Sequence, residues 1–214
     1  MTRLLHISAS PRRELSHSLR AASSFIAGLQ AAVDGLEVDR LDIWNERLPE
    51  FAGALLSAKY ATLDKVSFDE KEAQAWADIR NMVERLDAAD AVLLSTPMWN
   101  MSIPYRLKHY LDLVTQPGLT FTFDPQQGYS PLLRNRPTVS VVATSGDFTE
   151  GTSWGRPDMA SAYLRQALKF VGLADSAVVL IGPTRGNPDL VAAGAKRARN
   201  ELAALAGEFA ETLK

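Results

Sequence analysis

The sequence predicts an α/β fold, a doubly wound parallel sheet of five strands in the order 2-1-3-4-5 with helices on both faces. Three observations predict it. Short apolar runs alternate with stretches of helical periodicity from one end of the chain to the other. The central run Ala91-Val-Leu-Leu-Ser95 is continuously apolar, as a strand covered on both faces must be. The first strand, helix and second strand are closely spaced, and a short first βαβ unit is most compatible with that strand order.

Residues 4–8 (Leu-Leu-His-Ile-Ser) form the first strand. Leu19, Ala22, Ile26, Leu29 and Val33 recur at helical spacing, which sets a helix over 16–34 ended by Gly35. Residues 38–44 alternate apolar and charged side chains and suit an outer strand. Residues 45–67 are less regular, contain Pro49 and Gly53, and are expected to hold short helical turns. Trp76, Ile79, Val83 and Leu86 mark a second long helix, and residues 91–95 follow as the third strand. Pro104 opens the next helix, whose Leu107, Tyr110, Leu111 and Val114 share a face, and Gly118 stops it. Residues 119–123 alternate like an exposed strand, and Asp124-Pro-Gln-Gln-Gly128 reads as a hairpin turn. A buried strand over 138–144, a helix over 158–171 and a last strand over 176–181 follow. Asn187-Pro188 then opens a C-terminal helix with Ala198, Leu202, Leu205 and Phe209 in one stripe. With no repeat, low-complexity tract or linker, residues 1–214 read as a single domain.

The chain has 214 residues, a formal net charge of −2 and no cysteine. An α/β domain of this length buries roughly 70% of its unfolded surface, so no covalent staple is needed. Disulfides and thiolate metal sites are excluded, and no metal is expected. The near-neutral balance argues against nucleic acid as the main partner. No apolar run approaches the ~20 residues of a membrane span. Arg12, Arg13 and Glu14 follow the first strand too closely for a signal peptide. A cytoplasmic location is the expectation.

Sheets of this kind bind ligands beyond the carboxyl ends of their strands, where the strand order reverses. After the first strand comes Ala9-Ser10-Pro11-Arg12, then Ser16-His17-Ser18 at the start of a helix. Hydroxyls, basic side chains and the free N–H groups of a helix N-terminus suit a phosphate, and Ser16 alone would serve equally as an N-cap. Neither a G-x-G-x-x-G after the first strand nor a G-x-x-x-x-G-K-[ST] occurs, so the loop suits a terminal monophosphate more than a dinucleotide. After the third strand, Met98, Trp99 and Met101 stand around Asn100 at the spacing of no helix or strand face, as a planar cofactor would want. After the fourth strand, Gly146 allows close backbone approach, with Ser145 and Asp147 as polar neighbours. His17 is the histidine with a ligand role; His6 reads as structural and His109 as surface or interface. Arg12 and Arg13 fit either phosphate contact or a solvated turn.

The segments I-S-A-S-P-R…S-H-S, T-P-M-W-N-M-S-I-P…L-K-H-Y-L-D, G-L-T-F-T-F and A-T-S-G resemble the FMN-dependent NADH-azoreductase family, the flavodoxin-like quinone and azo reductases. The resemblance covers nearly the whole chain and implies a flavodoxin-like fold. It implies that Ser10, Ser16, His17 and Ser18 hold the FMN phosphate. Met98, Trp99, Asn100 and Met101 would line the isoalloxazine ring, and Ser145, Gly146, Asp147 and Phe148 would lie along its pyrimidine edge. It further implies a homodimer with the site near the interface. The reaction would be ping-pong hydride transfer from NADH or NADPH through flavin N5 to quinones or azo compounds. No catalytic side chain is needed at the hydride step; Asn100 is the candidate for tuning the flavin, and Asp147 should point away from it. This chain differs from the family pattern at His17, at Trp99 and Met101, and at Gly146-Asp147-Phe148. Phe121, Phe123 and Tyr129 are expected to cover a partner's flavin, to pack an interface, or to fold back on their own chain. The alternative reading is a flavodoxin-type FMN electron carrier without NAD(P)H turnover; the long 45–67 segment and the hairpin argue against it.

Overall fold

A computed structural model describes all residues, 1–214. The chain runs β1 (Arg3–Ser8), α1 (His17–Ala32), β2 (Glu37–Asp42), α2 (Gly53–Asp64), α3 (Glu70–Asp87), β3 (Ala91–Pro97) and α4 (Tyr105–Val114). It continues through β4 (Phe121–Asp124), β5 (Gly128–Pro131), β6 (Thr138–Ala143), β7 (Thr152–Ser153), β8 (Arg156–Pro157), α5 (Met159–Val171), β9 (Ser176–Ile181) and α6 (Pro188–Leu213). The main sheet has five strands in the order β2-β1-β3-β6-β9, every neighbouring pair parallel. Counting only these strands, the order is the 2-1-3-4-5 read from the sequence.

Side chains alternate between two apolar layers. Leu4, Leu93, Val139 and Val179 pack against Phe25, Leu29, Leu202 and Phe209 of α1 and α6. Leu5, Ile7, Leu94 and Val142 face the other layer, with Trp76 and Ile79 of α3, Leu107 of α4 and Leu164 of α5. Coverage on both faces is why β1, β3 and β6 read as apolar runs. Edge strand β2 buries only Leu41; Asp39, two residues before it on the same face, is gripped by Arg85 of α3 with both arms at 2.7 and 3.0 Å.

Several boundaries differ from expectation for local reasons. Helix α1 starts at His17 because Ser16 is its N-cap, its Oγ accepting the Leu19 N–H at 3.2 Å. β2 ends at Asp42, two residues early, because the Asp42 carboxylate accepts the Trp44 N–H at 3.0 Å and turns the chain. β3 runs on to Pro97. The irregular 45–67 segment contains a full helix, α2, where short turns were expected. Its buried positions are Leu55, Ala58 and Ala61, and two alanines make a faint stripe. Gly118 does not stop α4. The helix already ends at Val114, whose carbonyl accepts the Thr120 hydroxyl at 2.9 Å, and Gly118 (φ +74°) turns the chain into the β4–β5 hairpin. β4 accordingly starts at Phe121 rather than Leu119. The small β7–β8 hairpin was not foreseen. No helix is long and apolar enough to cross a membrane.

His109 is half-buried and bonded rather than freely exposed. Its Nε2 lies 2.9 Å from the Pro49 carbonyl, and Arg106 donates through Nε to the Ile43 carbonyl at 2.7 Å. Helix α4 thereby latches the β2–α2 loop. His6, 1% exposed in β1, shares a 2.9 Å hydrogen bond with Ser95 of β3. Burial, helped by the nearby Arg40 charge, pushes its pKa down from 6.5 to about 4.

The lowered His6 pKa fixes a pH dependence. The unfolded chain binds this proton near pH 6.5 and the folded chain only near pH 4, so stability must fall as pH drops through that window. The full effect is about 3 kcal/mol, of which about 2 kcal/mol should be gone at pH 5. Urea unfolding at pH 7 and pH 5 checks this: His6→Gln should remove most of the difference seen in the native chain.

Candidate functional site

Parallel pairing brings three loops to one level. The ladder continues one step past each strand: Ala9 N–H donates to the Ser95 carbonyl at 2.8 Å, Met98 N–H to Ala143 at 2.8 Å, and Thr144 N–H to Ile181 at 2.9 Å. The loops after β1, β3 and β6 therefore leave the same edge side by side.

The first loop gathers hydroxyls. Ser10, Ser16 and Ser18 are all buried, and Ser16 Oγ and Ser18 Oγ share a 3.1 Å hydrogen bond. The first bond of the α1 ladder runs from the Arg20 N–H to the Ser16 carbonyl, so the amides of His17 and Ser18 lie ahead of it. Both the cap and the phosphate readings of Ser16 describe this geometry. His17 Nδ1 lies 3.1 Å from the Arg20 guanidinium. Partial burial, then Arg20 and Arg12, push its pKa down, leaving a neutral ring beside two cations. Arg13 turns away toward Asn45.

The second loop is a strained reversal. Trp99 and Ser102 exchange backbone bonds at 2.8 and 3.0 Å, with Asn100 (φ +48°) and Met101 (φ +71°) at the tip. Both tip residues are left-handed, as a mirror-image two-residue turn demands. Asn tolerates this; for Met it costs about 1–2 kcal/mol. The loop is held at both ends, by Met98 N–H on the Ala143 carbonyl and by Met159 N–H donating to the Met101 carbonyl at 3.0 Å. Asn100 and Met101 are exposed, while Met98 packs against the core. Trp99 leans on two residues that sequence reasoning missed, Trp44 (ring centres 5.8 Å apart) and Tyr105 (6.4 Å). Trp44 reaches it only because α4 latches the β2–α2 loop, which no local pattern reveals. A cavity of about 420 Å³ opens beside this cluster, lined by Trp99, Asn100, Tyr105, Lys108 and Tyr163.

In the third loop Ser145 and Asp147 are exposed, but Phe148 is buried beneath the Arg156 guanidinium, 5.6 Å from its ring centre. Phe148 thus supports the loop from below and does not stand with the exposed residues. A side chain on Gly146 would collide with Ser153 and crowd Arg156, so the close approach this glycine permits is to its own β7–β8 hairpin. Asp147 points outward. Partial burial raises its pKa, but the Thr149 hydroxyl at 2.8 Å, the Thr149 amide and Arg197 at 3.8 Å outweigh this and hold it below the usual range.

The hairpin aromatics fold onto their own α5. Phe121 lies 5.0 Å and Tyr129 5.5 Å from Phe170, and Phe123 stacks on Tyr129 at 4.9 Å. Phe170 is eleven residues beyond Met159 along α5, roughly 16 Å from the Asn100–Met101 turn. Within one chain these rings do not reach the site. The site as a whole offers a hydroxyl and amide seat for a phosphate ester, next to an exposed, rigid, part-apolar loop suited to a flat ring. No three His, Asp or Glu side chains cluster as metal ligands.

The profile of the flavodoxin-like fold family matches residues 2–206. The chain is 44% identical over 209 residues to FMN-dependent NADH:quinone oxidoreductase 1 of Bradyrhizobium diazoefficiens, covering 98% of this chain and 100% of the relative. It is 39% identical over 212 residues to FMN-dependent NADH:quinone oxidoreductase 3 of Pseudomonas fluorescens, covering 98% of each. The solved azoreductase of Bacillus anthracis superposes with a TM-score of 0.86 at 26% identity, over 98% of this chain and all (100%) of that one. Strand order, loop positions and these likenesses agree: the chain belongs to the flavodoxin-like family that contains the FMN-dependent NADH:quinone oxidoreductases and azoreductases.

Proposed function

We propose that residues 1–214 act as one FMN-binding domain and that the protein is an FMN-dependent NAD(P)H oxidoreductase reducing quinones and aromatic azo compounds. The observation that carries this is the trio of buried serines at the α1 N-terminus, set beside the strained Asn100–Met101 turn. The donor set fits a phosphate monoester: hydroxyls, two unladdered amides and a positive helix end, flanked by Arg12 and Arg20. FMN, when bound, would supply the two-electron hydride chemistry that links NAD(P)H to the acceptor.

The chain's residues hold and tune. Ser10, Ser16 and Ser18 grip the phosphate, with the neutral His17 ring beside it. Met98, Trp99 and Met101 would give the ring apolar surface, and Asn100 would tune it from a backbone that cannot easily move. Ser145 and the Gly146 backbone supply donors for charge at the pyrimidine edge. Asp147, held by Thr149 and Arg197, keeps its carboxylate out of that field. The exposed Phe123 and Tyr129 stand at the far end of α5, where a second copy could place its flavin against them. This supports a homodimer, acting in the cytoplasm on small-molecule acceptors.

An anaerobic visible spectrum tests the reading. Stoichiometric NADH should bleach the flavin bands of the FMN-loaded protein, and a quinone or azo dye should restore them; bound flavin that stays oxidised would favour an electron carrier. Ser18→Ala should weaken FMN about tenfold, the equivalent of ~1.4 kcal/mol, and leave riboflavin, which lacks the phosphate, unaffected. Equal losses for both ligands would remove the serines from the phosphate seat. Sedimentation should give about twice the chain mass of 23.4 kDa, and a monomer would contradict the shared site.

A further inference from the structure

The β7–β8 hairpin holds an indole out into water. Trp154 and Gly155 form its tip with φ +53° and +75°, and Trp154 is 96% exposed. The base below is firmly set. Ser153 is buried against Gly146, and Arg156 donates through Nε to the Ser153 carbonyl at 3.2 Å. The Asp158 N–H bonds the Gly151 carbonyl at 2.9 Å and closes the loop. Left-handed backbone is unfavourable for tryptophan, and the loop's own anchors hold it there.

Across from the hairpin run the β9–α6 connection, with Pro183 and Arg185, and the first turn of α6, with Leu190, and Gly146 lies between the two sides. They enclose a groove of about 500 Å³. Arg156 and Arg185 line it, and neither forms an ion pair. The carboxylate at its rim, Asp147, is already engaged by Thr149 and Arg197. The groove therefore offers a flat aromatic face, an apolar side in Pro183 and Leu190, and two guanidiniums without a carboxylate partner, that of Arg156 held in place by Phe148 and the Ser153 carbonyl. That set recognises a purine carrying phosphates: the ring stacks and the guanidiniums fork onto phosphate oxygens. It lies between the ends of β6 and β9, on the other side of the Ser145–Asp147 loop from the α1 serines, and so leaves the FMN phosphate seat free.

We propose that this groove is an adenosine-phosphate site that seats the adenosine half of the reducing dinucleotide, adenine on Trp154 and phosphates on Arg156 and Arg185. This inference rests on the oxidoreductase reading above. It explains how a loop without any dinucleotide fingerprint can serve a dinucleotide donor: recognition sits on a separate hairpin beside the flavin loops. It also assigns a task to the exposed Trp154.

Calorimetric titration of the FMN-loaded protein with ADP-ribose, which lacks nicotinamide, tests the groove without turnover. The native protein should bind it, and Trp154→Ala and Arg185→Ala should each weaken binding about tenfold. In steady state the same variants should raise KM for NADH by a similar factor. KM for reduced nicotinamide mononucleotide, which has no adenosine half, should stay within about twofold of native. Failure of ADP-ribose to bind the native protein would overturn the proposal. So would an equal rise in KM for both donors, or a Trp154→Ala change confined to sedimentation, which would make the indole an interface residue. Binding of ADP-ribose through Trp154 by a protein that leaves NADH unoxidised would support the site and defeat the reductase reading alone.

Discussion

Parallel pairing of β1, β3 and β6 is the constraint from which the rest follows. Parallel strands cannot be joined by tight turns, so each connection crosses a face of the sheet as a helix, and all strand ends of one kind meet at one edge. Buried registers such as Ser8 opposite Ser95 and Ser95 opposite Val141 put three loops at a common height. The site is the consequence of that alignment. Its serines, its strained turn and its glycine loop are far apart in the chain and adjacent only because the ladder is in register.

Rigidity at this edge comes from backbone bonds more than from side chains. The Asn100–Met101 turn adopts a conformation its residues do not favour, and it persists because β6 and the first residue of α5 hold its two ends. A stiff loop keeps its exposed groups in place without spending the entropy of ordering them on binding. The same logic extends outward. Arg106 and His109 of α4 pin the β2–α2 loop, which sets Trp44 against Trp99 and Tyr105. The wall beside the site is thus built from elements that the sequence separates by some tens of residues.

Electrostatics are divided along the same edge. The α1 side combines a helix N-terminus, a neutral His17 and two arginines, and so favours a phosphate. The β6 side holds its one carboxylate, Asp147, outward through Thr149 and Arg197, which leaves the loop amides unopposed. The positions where this chain departs from its family's pattern fall in all three loops: His17 at the start of α1, Trp99 and Met101 at the strained turn, and Gly146-Asp147-Phe148 after β6.

Periodicity made the central sheet legible. Strand order, α1, α3, α5 and α6 follow from apolar runs and stripes, because burial on one or both faces leaves a regular mark on the sequence. The Ser-rich loop and the Met98–Met101 loop were legible as site candidates, since strand ends in this topology have a known place. Other features left no such mark. Helix α2 buries mostly alanine and has a faint stripe; α4 ends early because the Thr120 hydroxyl, six residues on, takes its last carbonyl. The inward turn of Phe148, the Trp44–Trp99–Tyr105 cluster and the β7–β8 hairpin were decided by tertiary structure alone. Local sequence encodes which face of an element is apolar, and the sheet follows from that. Which side chains from separate loops finally touch depends on long-range hydrogen bonds and packing that exist only once the chain has closed on itself.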